Sequence, residues 1–342
     1  MISYRDALAQ AQIDAMDADP NVFVFGLDVR DHKKIFGSTK GLERFDETRF
    51  FPTPLSEDAM TGVALGAAIS GLRPIHVHIR TDFMLLGTNQ IANMISCLRY
   101  LSGGKLKVPM VIRAVIGRGW GQGAQHSKTL HSMYAHIPGL KVVMPTTPQD
   151  AYSLLRSSIN DDNPVIFIEH RWLYDVTGEV DTSQKEAIGS AKVLHEGADV
   201  TLVCVSWMNV EAIKAAEILA RQGVKAEIID VRSITPLDME TILKSVKKTG
   251  RCIVSDYDWN FCGLGAEISA QLSEQCFSEL KAPVARLGFQ PVPCPTTRPL
   301  ENLFYPSAPQ IIRKVEEMLK LPAADFGGEE FYSYERKFKG PF

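Results

Sequence analysis

The chain reads as an α/β protein of two domains, each a mostly parallel sheet flanked by helices. Three observations lead there. Its 342 residues exceed what one core of ordinary size uses. Short apolar runs alternate with amphipathic stretches from Ser3 to about Glu169, and the alternation restarts near Val200. Between them, the stretch from Tyr174 to about Glu196 is polar and aperiodic, as a linker is. The expected boundaries are 1–175 for the first domain, 176–196 for the linker, 197–325 for the second domain and 326–342 for a tail.

In chain order, Ser3 caps an amphipathic helix to about Asp17, with Asp6 three residues on. Val22–Gly26 is a short buried strand. Pro52-Thr53-Pro54-Leu55-Ser56-Glu57 then opens a helix, with Ser56 expected as its N-cap and Glu57 in its first turn. Ala59, Gly62, Gly66, Ala67 and Ser70 recur at helical spacing, forming a smooth stripe that another backbone or a flat ligand can approach. Gly71-Leu72-Arg73-Pro74 is a turn. Ile75–Ile79 alternates, which predicts a strand with His76 and His78 on the face opposite Ile75, Val77 and Ile79. A helix follows from Phe83 to about Leu101, then the breaker Ser102-Gly103-Gly104, the strand Val108–Arg113 and the glycine-rich loop Gly117–Gly123. The first domain closes with the helix Lys128–His136, the strand Leu140–Met144, the helix Gln149–Ser158 and the strand Pro164–Glu169. In the second domain the expected strands are Val200–Val205, Ala226–Asp230, Arg251–Ser255 and Val284–Leu287. Its helices are Asn209–Arg221, Asp238–Lys248, Gly265–Glu274 and Ala308–Lys320. The charged, aromatic tail is expected to be frayed or docked on a partner.

Composition excludes several classes of function. With 37 basic and 40 acidic residues the net charge is −3, so there is no basic field for nucleic acid. The six cysteines are scattered without a Cys-x-x-Cys pair, which argues against a zinc or redox motif and for reduced thiols in the cytoplasm. The N-terminus lacks a signal-peptide pattern, and no apolar run reaches the roughly 18 residues of a membrane span.

Several constellations could carry chemistry, and each has a plainer alternative. Gly119-x-Gly121-x-x-Ala124 fits a dinucleotide fingerprint, but the next strand ends Val143-Met144-Pro145-Thr146, with no carboxylate for a ribose. Arg118 and Trp120 also crowd that loop, so a mobile loop over an active site is the better reading. His126 is either a hydrogen-bonded loop histidine or an acid/base or substrate-binding imidazole. His76 and His78, with Arg80 near, could bind a metal or an anion, or simply pack as a strand face. Glu57 taken alone suits the positive end of a helix dipole.

In order along the chain stand Pro54-Leu55-Ser56-Glu57 with Gly62, Gly66-Ala67-Ala68, Gly71-Leu72-Arg73-Pro74-Ile75 and Gln90-Ile91-x-Asn93. Ser102-Gly103-Gly104, Gln125-His126-Ser127, His136-Ile137-Pro138-Gly139-Leu140 and Asp162-Asn163-Pro164-Val165 follow. Asp230-Val231-Arg232-Ser233-Ile234-Thr235-Pro236-Leu237-Asp238 and Gly263-Leu264-Gly265-Ala266-Glu267 continue the series. Together they resemble the β subunit of thiamine-diphosphate-dependent 2-oxo acid dehydrogenases and the C-terminal half of transketolases. The resemblance implies a pyrimidine-binding domain followed by a transketolase C-terminal-type domain. It implies that Glu57 hydrogen-bonds the cofactor's aminopyrimidine, that Phe83 stacks on that ring with Ile79 beside it, and that His126 handles substrate. It places a monovalent cation near Met110, Ser158, Asp161 and Asn163. The family holds Mg²⁺ and diphosphate with a Gly-Asp-Gly motif, which this chain lacks, so an α subunit is expected to supply it in an α2β2 heterotetramer. The implied reaction is decarboxylation of a 2-oxo acid with acyl transfer to lipoamide, on a possible lipoyl acyltransferase core. The alternative is a two-chain transketolase-like or acyloin-forming enzyme that transfers a two-carbon unit to a sugar or aldehyde. The segment His76-Val77-His78-Ile79-Arg80, with Arg118, departs from the dehydrogenase pattern and suggests contacts to a phosphorylated or polyhydroxylated substrate.

Overall fold

The computed structural model describes residues 1–117 and 121–331. Contacts divide the chain into two compact units, the first made of Met1–Gly117, Thr129–Ser190 and Ser233–Pro236. This unit opens with β1 (Ile2–Ser3) and α1 (Tyr4–Ala18), then β2 (Val22–Gly26), β3 (Phe50–Pro52), α2 (Glu57–Ile69) and β4 (Arg73–His78). It continues through α3 (Thr81–Met84), α4 (Ser96–Leu101), β5 (Val111–Ile116), α5 (His131–Ala135), β6 (Lys141–Val143), α6 (Pro148–Asn160), β7 (Val165–His170) and β8 (Thr177–Gly178). A later strand, Ser233–Thr235 (β12 in chain order), joins the same sheet. The sheet order is β12-β6-β7-β5-β4-β2-β3, parallel throughout except for the antiparallel β12–β6 pair. Strands β2, β5 and β7 are buried along their whole length, as the apolar runs require of central strands covered on both faces.

The second unit carries β9 (Lys192–His195), β10 (Val200–Cys204), α7 (Met208–Ala220), β11 (Ala226–Asp230), α8 (Met239–Thr249) and β13 (Cys252–Trp259). It ends with α9 (Leu264–Cys276), β14 (Ala285–Phe289), α10 (Arg298–Phe304) and α11 (Ala308–Leu319). Its sheet runs β14-β13-β10-β11-β9, with only β9 antiparallel to its neighbour.

Several elements differ from the sequence reading. The single helix expected over 83–101 is α3, a 3₁₀ turn at Leu85–Gly87, a π-helical stretch at Gln90–Ile95 and then α4. Close packing on α2 accompanies the break: a Cβ at Gly87 would lie 2.7 Å from Thr61 Oγ1. Ser56 occupies the N-cap position of α2, but its side chain makes no capping bond. Instead Thr61 Oγ1 donates back to the Glu57 carbonyl at 2.6 Å. The aperiodic 176–196 stretch contains β8, paired with β1, and β9 at a sheet edge. Within the tail, Glu329 accepts from Lys214 Nζ at 2.9 Å and pairs with Arg221, while Arg313 lies over the Phe326 ring at 4.2 Å. Residues 326–331 therefore dock on α7 and α11 of their own chain, and 332–342 lie outside the described residues.

Candidate active site

Parallel α/β sheets bind ligands beyond the carboxyl ends of their strands. In the first unit that region forms a pocket at the ends of β2, β3 and β4. Leu27 enters from β2, Thr53 and Pro54 follow β3, α2 supplies Glu57 and Met60, and His76, Val77, His78, Ile79 and Phe83 complete the wall. Gly26 makes the corner possible, because a Cβ there would stand 2.2 Å from the Val77 carbonyl oxygen. The pocket thus brings together Glu57, Ile79, Phe83, His76 and His78. Leu27, Thr53 and Met60 were not singled out in the sequence. Their position just past a strand end or one helical turn beyond Glu57 is the signal that could have found them.

The chemistry of the pocket is specific. Glu57 is partly exposed, and its carboxylate makes no hydrogen bond among the described residues. Phe83, Ile79, Met60 and Pro54 present apolar surface around it. His76 and His78 are 2% and 3% exposed, with rings 4.3 Å apart, and His76 stacks on Phe25 at 4.6 Å. The rings pack on each other rather than converging on an ion. No group of three or more His, Cys, Asp or Glu among the described residues is arranged to hold a metal. Apolar side chains grouped with one carboxylate chemically suit a heteroaromatic ring with a polar edge.

Burial pushes the His78 imidazole down to about 4. His76 is held well below the ordinary histidine range, by burial first and by His78 second. Both rings are therefore neutral at pH 7 in the folded chain. Between pH 6.5 and about 4 the unfolded chain binds the proton and the folded chain does not, so stability is full above 6.5 and falls as the pH drops. Urea unfolding is expected to show wild type losing stability relative to His78→Phe by on the order of 3 kcal/mol as the pH falls across this range. Parallel curves for the two proteins would show that His78 titrates normally.

The other expected residues fall elsewhere. Arg80 is 1% exposed and its Nη1 donates to the Gly117 carbonyl, at the base of the glycine-rich loop. Gly117 has φ +93°, and a Cβ there would meet the His170 ring at 2.7 Å, so that base admits only glycine. Arg118 lies outside the described residues. His126 follows a 3₁₀ turn at Gly123–Gln125, is half-buried, and belongs to the second unit's contacts. Around the expected cation segment, the Met110 carbonyl accepts from Val165 N at 3.0 Å and the Ser158 carbonyl from Asp161 N at 3.3 Å. Asp161 is ion-paired with Lys141, and its Oδ1 accepts from Asn163 N at 2.8 Å and Nδ2 at 2.7 Å. Burial opposes ionisation of Asp161, but the bonds from Lys141 and Asn163 hold its carboxyl below the usual range. Arg73 Nη1 donates to the carbonyls of Ile159 and Asp161 at 2.9 and 3.2 Å.

Comparison with known proteins agrees with this architecture. The family described as transketolase, pyrimidine binding domain, matches residues 1–177, and that described as transketolase, C-terminal domain, matches residues 189–311. The acetoin:2,6-dichlorophenolindophenol oxidoreductase subunit beta of Cupriavidus necator is 41% identical over 330 residues, covering 93% of this chain and 98% of that one. The pyruvate dehydrogenase E1 component subunit beta of Chaetosphaeridium globosum is 40% identical over 318 residues, covering 92% and 98%. Among solved structures, a split gene transketolase, described as an inactive beta4 tetramer, superposes with TM-score 0.77 at 23% identity over 94% of this chain and 99% of that one, a likeness of fold. Two matched domains in this order, with relatives that align nearly end to end, place the chain in the thiamine-diphosphate-dependent transketolase-like family, among its β subunits.

Proposed function

We propose that this chain is the β subunit of a two-chain enzyme that cleaves a carbon–carbon bond next to a ketone, most directly by decarboxylating a 2-oxo acid and passing the acyl unit to lipoamide. The observation that carries this is the pocket in which Glu57, its carboxylate without a hydrogen bond among the described residues, lies together with Phe83 and Ile79. Thiamine diphosphate supplies, when bound, a carbon nucleophile and an electron sink for the cleavage. Glu57 would hold a proton shared with a ring nitrogen of the aminopyrimidine, in a slot where Phe83 and Ile79 pack on the ring and exclude water. His126 would bind the substrate and exchange a proton with it. Mg²⁺ and the diphosphate would be held by an α-type chain, since this chain has no Gly-Asp-Gly motif. A monovalent cation is assigned to the Met110, Ser158, Asp161 and Asn163 segment, where each carbonyl keeps a second lone pair.

A partner chain also accounts for apolar surface. Leu55, Val63 and Ile69 on and before α2 are 74%, 52% and 42% exposed, and Leu86, Met94 and Leu101 are 61%, 46% and 73% exposed on the helical run that α2 packs against. Exposed apolar area of this extent marks an interaction surface. It supports an α2β2 heterotetramer, which a lipoyl acyltransferase core would then engage. No helix among the described residues is long and apolar enough to cross a membrane, and we place the enzyme in the cytoplasm. The relative named for acetoin favours a second reading, in which the substrate or product is an acyloin.

The test is binding of thiamine diphosphate by calorimetry. The chain assembled with its α-type partner is expected to bind, and the isolated chain at least about tenfold more weakly, because half the contacts are missing. Equal affinity for the isolated chain would defeat the split-site reading.

A further inference from the structure

One residue singled out in the sequence has no task in that reading. Arg80 stands two residues beyond the end of β4, is 1% exposed and holds the N-cap position of α3. Its carbonyl accepts from Phe83 N and Met84 N at 3.2 and 3.3 Å, so its backbone begins the turn that carries Phe83. Its guanidinium reaches toward the neighbouring strand, where Nη1 donates to the Gly117 carbonyl just past β5. The bond is charge-assisted and shielded from water, which makes it stronger than one from an amide. Gly117 is also pressed from β7, since a Cβ there would meet the His170 ring. The corner after β5 is therefore held by the Arg80 side chain and by close packing on His170.

Beyond that corner the chain changes company. Contacts assign 118–128 to the second unit, and the first unit resumes at Thr129. A second tight corner stands at Gly123, with φ +63° and a Cβ position 2.8 Å from Thr296 Oγ1. His126 closes the 3₁₀ turn that begins there, with its N–H on the Gly123 carbonyl at 3.3 Å. We infer that Arg80 is a positioning residue for the substrate step: it fixes the corner from which the segment carrying His126 departs. The inference rests on the proposal that His126 handles the substrate. A substrate phosphate, which the sequence suggested for Arg80, is recognised by cationic donors that it can reach. A buried guanidinium spent on a main-chain carbonyl suits an anchor instead.

The test combines hydrogen exchange and kinetics on the chain assembled with its α-type partner, as wild type, Arg80→Met, His126→Ala and the double variant. In Arg80→Met the amides of 121–129 are expected to exchange at least about tenfold faster, while those of 53–60 in the Glu57 pocket keep the wild-type rate. Thiamine diphosphate affinity by calorimetry should stay within about twofold. The value of kcat/KM, for the 2-oxo acid that wild type uses best in a panel led by pyruvate, should fall about 10- to 100-fold, the loss that a misplaced group brings. In the His126→Ala background Arg80→Met should cost less than about twofold more, because both act through one imidazole. Unchanged exchange at 121–129 would overturn the inference. So would a rise spread evenly over the first unit, or a fully additive loss in the double variant, which are the marks of a purely structural role. Should Arg80→Met fail to assemble, Arg80→Lys, which keeps the charge but not the planar fork, decides by the same measures. Should wild type use none of the panel, the proposed reaction falls and exchange alone decides the anchor. Wild-type turnover in His126→Ala would instead remove the reading of His126 itself.

Discussion

Replacing Glu57 by alanine is expected to lower turnover of the assembled enzyme roughly 100- to 10,000-fold, the range lost when a positioned proton-transfer group is removed. The fold should survive. Glu57 is partly exposed, its carboxylate makes no hydrogen bond among the described residues, and only its carbonyl is used, by Thr61 Oγ1. Glu57→Gln separates two roles. The amide keeps shape and hydrogen bonding, so cofactor affinity should change little while turnover falls nearly as far as in the alanine variant. Steady-state kinetics and calorimetry on the same preparations check both halves. Wild-type turnover in Glu57→Ala would remove Glu57 from the chemistry, and loss of assembly would make it a structural residue.

The second large effect is on stability. Arg113 and Glu169 are fully buried and paired, with Nε and Nη2 donating to Oε1 at 3.1 and 2.6 Å. Arg113 also donates through Nη1 to Gln12 Oε1 at 2.7 Å and through Nη2 to Ser38 Oγ at 3.0 Å. One guanidinium therefore ties β5 to β7, to α1 and to the loop that follows β2. Burial pushes the Glu169 carboxyl up, against the pull of Arg113. Arg113→Met leaves that carboxyl in the core without its cation, and a loss of about 3–5 kcal/mol is expected. Replacing both partners, Arg113→Met with Glu169→Leu, should recover most of it, because the cost arises from the uncompensated charge. Urea unfolding, with hydrogen exchange at the β5 and β7 amides, reads the difference. A double variant as unstable as the single one would show that the pair matters for its shape and not for its charge.

Neither residue in that pair attracted attention in the sequence. Arg113 sits within the apolar run of β5 and Glu169 near the end of β7, 56 positions apart. Local pattern carries burial well. The strand Ala226–Asp230 agrees to the residue with its expected span, and α8 and α11 lie within a residue or two of theirs, because strong amphipathic periodicity leaves one orientation of each element. Local pattern carries partnership poorly. The short edge strand β9 alternates too briefly to register, and α10 begins on Arg298-Pro299, where proline reads as a breaker but serves as a first-turn residue. The run over 83–101 looks uniformly helical, yet it lies in four pieces, of which the 3₁₀ and π-helical stretches pack on α2.

The segment around Pro52–Glu57 shows the same division. The ordered motifs carried a family resemblance, and it was that resemblance which singled out Glu57, Phe83, Ile79 and His126 and made the missing diphosphate motif noticeable. Local pattern determined two α/β domains, because alternation of strand and helix periods is a local property of the chain. Tertiary structure decided what each polar group meets. It put Glu57, Ile79 and Phe83 in one pocket with His76 and His78, and turned Arg80 inward to the Gly117 carbonyl. The physical reason is that parallel strands adjacent in space are separated in sequence by whole crossovers. The neighbours of a buried charge or imidazole are therefore set by sheet order and register, which no local window contains.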